Sequence, residues 1–408
     1  MFLRATTGGF DVIRVETSRP DFLTVLLKEK YTEQLQLASL AVTDASPARI
    51  VSLDVQPTPR PKDLAIPRLT ESSAIAALKA RLDSSTASGE FSGVFLVARH
   101  GKTLMSAARG IANQDTHAVI TLDTRFDVAS VSKIFTAVAT LQLVESGKLG
   151  LDDTLAKYIP EYQNRDLASK VSIRHLLTHT GGTGGFPSQQ VRSTLLDHAS
   201  YVRALSARPP VFEPGLDYQY SNYGYVLLGA IIERVSGTAY EDYVARHILA
   251  PAGMHATSMV PSDDLFQKGA KNYTHRGGRL ERTGEWAGGR VGWIPGQLYS
   301  TAGDLLAFAR ALDSGKLVSK RMLAQATTPA PGRRYALGFV VRGQGQLRNY
   351  GHGGGAAGVN SDVRIFPNLG VIIVGISNFD QPAVDRLVDY YGNRMPLKSS
   401  RKEAPSPK

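Results

Sequence analysis

The chain has 408 residues and no cysteine, so it is long enough for more than one buried core and excludes disulfides, thiolate metal sites and a cysteine nucleophile together. Lys and Arg total 47 against 36 Asp and Glu, and the net charge of +11 favours anionic surroundings such as a cell-wall polymer or a membrane surface. The basic residues are scattered, without a basic run or an aromatic-studded basic motif, which argues against a nucleic-acid partner.

Residues 10–57 read as a strand meander, FDVIRVE, FLTVLLKEKY, QLQLASLAV and RIVSLDVQP, separated by turn-prone residues and accompanied by no helix. This predicts a small β-rich module over residues 1–57, expected to continue upstream, where an export signal would sit. The first residues lack the charged-then-apolar run of a signal peptide, and no segment approaches the length of an apolar membrane span. Residues 58–69 are proline-rich and extended, a linker. A second domain is expected over 70–395. It opens with an amphipathic helix at Ser72–Leu82 and a hairpin, Val94–Ala98 and Thr103–Ala107, turning at His100, Gly101 and Lys102.

Arg125–Gly147 carries apolar residues at Ile134, Val138, Leu141 and Val144, one stripe of a helix that Gly147 closes. Ser130 and Lys133 fall in its first turn, three residues apart and therefore side by side, as a nucleophile and its base must be. A simpler account makes Ser130 an N-cap and Lys133 a solvated charge. Against it, a cation in the first turn opposes the helix dipole by roughly 0.3–1 kcal/mol. The spacing alone decides little, because Ser399 and Lys402 share it.

Residues 150–330 read as mostly helical, with long glycine-rich loops at 178–186 (THTGGTGGF) and 285–296 (EWAGGRVGWIPG) whose length marks them as functional. Trp286 and Trp293 could line an acyl pocket or simply pack. Tyr220 and Asn222 stand between a Pro214–Gly215 turn and an apolar helix, Tyr223–Val235. The bland alternatives are a half-buried tyrosine and an asparagine N-cap, and Tyr162 with Asn164 or Tyr391 with Asn393 repeat the spacing. Strands return as YALGFVV, SDVRIFP and GVIIVGIS, followed by a helix from Pro382 to Arg394 and a basic disordered tail over 396–408. Ahead of the last two strands stands His352-Gly353-Gly354-Gly355. Glycines where a strand begins let a ligand's backbone lie close, although His179 and His275 also begin H-x-G triplets. Strands from both ends around a helical middle imply one sheet with a helical part beside it and a groove between them.

Taken in order, Ser130 with Lys133, Tyr220 with Asn222, and His352 with Gly354 resemble the serine β-lactamase and penicillin-recognising enzyme superfamily. The branch is that of class C β-lactamases, DD-carboxypeptidases, D-aminopeptidases and β-lactamase-like carboxylesterases. LDDTLAKYIPEY at 151–162, IRHLLTHTGG at 173–182, FEPG before YSN, and QLYSTAGDLLAFARAL at 297–312 extend the likeness over about residues 85–395. The resemblance implies an α+β fold, an antiparallel sheet flanked by helices plus an all-helical subdomain. It implies that Ser130 is acylated, Lys133 takes its proton, Tyr220 relays protons and Asn222 orients the substrate. The N–H groups of Ser130 and Gly355 would form the oxyanion hole, with no metal or cofactor required. His175 and His179 receive no chemistry from it.

The departure is His352, where many relatives carry a lysine that holds a substrate carboxylate; a histidine, with an unperturbed pKa of about 6.5, is mostly neutral at pH 7. The first expectation is therefore a carboxylesterase on small acyl esters or amides. A D-amino-acid peptidase or weak β-lactamase of the same chemistry, or a non-catalytic binder of peptidoglycan fragments, is the alternative. A periplasmic or secreted setting follows from the resemblance alone.

Overall fold

Alternating apolar and polar residues produce four strands near the N-terminus, β1 (Phe10–Ser18), β2 (Phe22–Glu29), β3 (Leu35–Val42) and β4 (Ile50–Pro57), paired as an antiparallel meander in that order. The structure, a computed structural model, describes residues 7–30, 32–186, 195, 197–259, 268–276, 279–283 and 298–397. It divides into a unit of Met1–Ser88 with Gln381–Lys408 and a unit of Gly89–Asp380. Within the first unit, helix α1 (Glu71–Ala87) is capped by Thr70, whose hydroxyl accepts from Ser73 N. It runs past the expected end at Leu82. There the Thr86 hydroxyl donates to the Leu82 carbonyl at 2.9 Å instead of stopping the helix. The C-terminal helix Asp385–Arg394 packs on α1, and Arg394 pairs with Glu33 at 2.8 Å, tying it to the turn after β2. The stretch after β4 is extended except for one 3₁₀ turn at Lys62–Leu64.

The second unit is built on a six-stranded antiparallel sheet. Its strands are β5 (Gly93–Arg99), β6 (Lys102–Arg109), β7 (Val340–Arg342), β8 (Asn349–Ala356), β9 (Val359–Phe366) and β10 (Val371–Ser377), in the order β7-β8-β9-β10-β5-β6. Strands from the two ends of the unit meet where β10 pairs with β5, from Val371 opposite Arg99 to Ser377 opposite Gly93. Both are buried along their whole length, which is why they read as unbroken Val/Ile/Leu runs. The hairpin turn puts His100 and Gly101 at φ 47° and 78°, the two positive angles that a two-residue loop needs to follow the strand twist.

Three long helices accompany the sheet, α2 (Ser132–Glu145), α3 (Asn222–Ser236) and α4 (Ala302–Asp313). Helix α2 packs on α3, while α4 packs on β10, β9 and β5, and Phe135 stacks on Phe308 at 4.1 Å between ring centroids. The expected single apolar stripe of α2 is too narrow a description, since every residue from Lys133 to Leu141 is buried and the helix is enclosed on all sides.

Three elements differ from expectation. The strand over YALGFVV shrinks to β7, because Gly338, at φ 88°, turns the chain where a side chain would collide with Ala137 of α2. His352–Gly355 lie inside a strand of their own, β8, rather than just ahead of the last two strands. The helical middle also holds a hairpin, Tyr273–Arg276 with Arg279–Arg282. Trp286, Trp293 and residues 398–408 lie outside the described residues.

Gly338→Ala combines an unfavourable positive φ with overpacking against Ala137 and should lower stability by about 3 kcal/mol. A fall in the urea midpoint with an unchanged slope would show it.

Candidate active site

Ser130 sits on a strained turn. Ala129 adopts φ 45°, a left-handed angle costly for a residue with a Cβ, and polar contacts on either side hold it there. Its own N–H donates to Asp127 Oδ1 at 2.7 Å, and the Ser361 hydroxyl of β9 donates to the Val128 carbonyl at 2.7 Å. Asp127 is fixed in turn by the pairing of Phe126–Asp127 with Tyr299–Ser300. Ser130 therefore lies in a 3₁₀ turn, Ala129–Val131, immediately before α2 instead of in its first turn. Val131 occupies the N-cap position without a side-chain cap bond, so the Ser130 hydroxyl is not spent on capping.

Lys133 is 7% exposed, and its amine and the Ser130 hydroxyl are hydrogen bonded at 3.3 Å. Among the described residues no carboxylate pairs with it. Its neighbours are the rings of Tyr220 and Tyr225, with centroids 5.0 and 5.6 Å from Nζ. Burial pushes its pKa down to about 7, so near neutral pH a large fraction of the amine is uncharged and able to accept a proton.

Ser221, not Asn222, caps α3. Its Oγ accepts from Gly224 N at 2.9 Å, which leaves Tyr220 just outside the helix and Asn222 as its first residue. Asn222 is partly exposed, and its side-chain amide makes no hydrogen bond among the described residues. Burial of the hydroxyl end of Tyr220 raises its pKa well above the usual phenol range, although 37% of the residue is exposed. The Ser130 hydroxyl neighbours the Tyr220 phenol and acts to lower its pKa.

His352 closes the other side. It is 4% exposed, and its ring centroid is 6.4 Å from that of Tyr220. Its Nδ1–H donates to the Gly353 carbonyl at 2.6 Å, so Nε2 accepts from the Tyr335 hydroxyl at 2.9 Å. Burial, then the proximity of Lys133, pushes its pKa down to about 3, and it is neutral. Strand β7 covers β8 only as far as Gly351, and beyond that β8 runs beside the Ser130 turn. A Cβ on Gly354 would overlap Val128 O and Ser361 Oγ and stand 3.1 Å from Ser130 N. Glycine is thus required for the strand and the turn to approach, and Gly355 beyond it is exposed.

The structure brings Ser130, Lys133, Tyr220, His352 and Gly354 together. Reading the sequence did not find the ring of supports around them. His179 is buried with its ring centroid 4.3 Å from that of Tyr220, and Tyr225 and Tyr335 share a hydroxyl contact of 3.3 Å. Only the glycine-rich setting of His179 could have marked it. His175 accepts from Ser172 N within a capping box, a structural task. Tyr335 and Tyr218 also line a cavity of about 660 Å³ that Thr178, Gln325 and Arg333 help to enclose.

The profile of the Beta-lactamase family matches residues 76–394. The putative penicillin-binding protein PbpX of Bacillus subtilis (strain 168) is 30% identical over 270 residues, 64% of this chain and 64% of that protein. Esterase EstB of Burkholderia gladioli is 33% identical over 186 residues, 42% of this chain and 47% of that protein. The matches thus span less than two thirds of either relative. The penicillin-binding protein from Bacillus halodurans has a crystal structure that superposes with a TM-score of 0.66 at 27% identity, covering 75% of this chain and 97% of that one.

Lys133→Met removes a buried amine that the folded protein must charge in acid. The native pKa is depressed, so the folded state binds fewer protons than the unfolded state between about 7 and the ordinary lysine value. The penalty is full below that window and vanishes above it. The methionine variant should therefore gain stability relative to wild type at about pH 6 and lose that advantage by about pH 10, as urea midpoints would report.

Proposed function

Because the chain belongs to the beta-lactamase family, we propose that it is a serine hydrolase that works through a Ser130 acyl-enzyme, with small acyl esters or amides as substrates and carboxylesterase activity foremost. One observation carries the reading, the 3.3 Å contact between Ser130 and an amine whose pKa is lowered to about 7 by burial.

In this mechanism neutral Lys133 accepts the Ser130 proton as Oγ bonds to the substrate carbonyl carbon. The carbonyl π electrons move onto oxygen. The N–H groups of Ser130 and Gly355 receive that oxyanion, each worth about 2.7–4 kcal/mol where such a donor has been removed. Collapse of the intermediate restores the carbonyl and breaks the bond to the leaving group, which takes the proton from Lys133 by way of Tyr220. Water then attacks the acyl carbon and loses its proton along the same path, and Ser130 leaves as the alcohol. The raised pKa of Tyr220 suits this relay, because the phenol stays protonated between the two steps. Asn222, with an uncommitted amide, orients the substrate.

His352 narrows the substrate. A neutral imidazole with both nitrogens engaged offers no fixed cation to a carboxylate, which favours esters and amides that lack one. A D-amino-acid peptide or a β-lactam would bind here without that charge, and a non-catalytic protein binding peptidoglycan fragments would leave the base without a task.

Intact mass after treatment with a fluorophosphonate, beside turnover of p-nitrophenyl butyrate, tests the proposal. One adduct on the wild type, none on Ser130→Ala and a matching loss of turnover are expected. Turnover of a D-alanyl dipeptide or penicillin in preference to the ester would move the reading to the peptidase or β-lactamase alternative. Absence of any adduct or turnover would favour a binding protein. Gly354→Ala should lower ester turnover by about tenfold or more while the far-ultraviolet spectrum stays unchanged.

A further inference from the structure

We infer that His179 is the positioning residue for Tyr220, holding the backbone on both sides of it so that the phenol hydroxyl meets Ser130. The inference rests on the Ser130 acyl-enzyme reading. Residue 220 is flanked by two hydrogen bonds that end on this one residue. The Gln219 N–H donates to the His179 carbonyl at 3.0 Å, and the Ser221 N–H donates to His179 Nδ1 at 3.0 Å. Between these bonds the imidazole lies against the Tyr220 ring, 4.3 Å between centroids at 37°.

Two features mark this as more than packing. His179 has φ 59°, a left-handed angle uncommon outside glycine, which lets its carbonyl and its ring face the same neighbouring segment. With Nδ1 accepting, Nε2 carries the proton, and that N–H is buried without a hydrogen-bond partner among the described residues. An apolar side chain would fill the space without leaving that N–H unsatisfied, so the acceptor at Nδ1 is what the site retains. The rest of the glycine-rich loop extends the template. Val211 N donates to Gly182 O at 2.9 Å, Gly215 N to Thr180 O at 2.8 Å, and the Ser221 hydroxyl to Gly184 O. Gly182, at φ 65°, leaves no room for a Cβ beside Phe212 O. Residues 179–184 thus shape residues 211–221, and His179 acts where that shape reaches Tyr220.

The test is a double-mutant cycle on p-nitrophenyl butyrate turnover with His179→Gly, His179→Asn, Tyr220→Phe and the glycine–phenylalanine pair. Glycine relieves the positive φ and removes the ring. Its expected effect is a fall in kcat of about tenfold or more with KM within about twofold. In the Tyr220→Phe background the same substitution should cost less than about twofold, because no hydroxyl remains to be aimed. Asparagine offers an acceptor and tolerates positive φ, so that variant should keep at least about one third of wild-type kcat. It also keeps the inference refutable should the glycine variant not fold. Equal losses in both backgrounds, or an asparagine variant that melts like wild type yet is as slow as the glycine one, would overturn the inference while leaving Ser130-dependent turnover intact. Wild-type protein without Ser130-dependent turnover would overturn the hydrolase reading and this inference with it.

Discussion

An amine buried without a carboxylate partner among the described residues is the constraint that organises the second unit. Water would hold Lys133 charged, whereas its burial in the enclosed helix α2, against tyrosine rings that carry no negative charge, favours the uncharged form. A carboxylate at hydrogen-bond distance would restore the charge and end the amine's usefulness as a base. The tyrosines are suited to the place for the same reason. Each offers an apolar face to the amine and a hydroxyl that can be satisfied elsewhere, as Tyr225 donates to the Leu177 carbonyl at 3.1 Å.

The backbone answers that constraint with close approaches that side chains would prevent. Gly354 lets β8 lie against the Ser130 turn, and Gly338 bends the chain around Ala137 of α2. Ala129 pays the cost of a left-handed angle so that Ser130 projects ahead of the helix, held by Asp127 below and Ser361 across the sheet. These positions come from both ends of the unit's sequence. Their meeting depends on the β10–β5 pairing that joins the two halves of the sheet.

Local pattern was legible wherever a single element carried it. The four N-terminal strands, the hairpin at His100–Gly101 and the helix after Ser130 follow from periodicity and turn residues, and the order of Ser130, Lys133, Tyr220 and His352 along the chain resembled one family. What escaped depended on contacts distant in sequence. Tyr335–Phe339 reads as strand but yields to the close packing of Gly338 on α2. His179 looked like one of several H-x-G triplets because its partners, Gln219 and Ser221, stand some forty residues on. The neutral state of His352 was expected from its ordinary pKa, but the Gly353 carbonyl that fixes its tautomer and the Tyr335 hydroxyl that meets its other nitrogen were not foreseeable from spacing.

The account stands on Lys133 being the base that activates Ser130. The most direct measurement is the second-order rate of Ser130 phosphonylation by a fluorophosphonate as a function of pH, followed by intact mass. The account predicts a rate that rises as the amine loses its proton, with a midpoint near pH 7 and a plateau above it. A rate that stays flat through that region, or climbs only toward the ordinary lysine value, would contradict it.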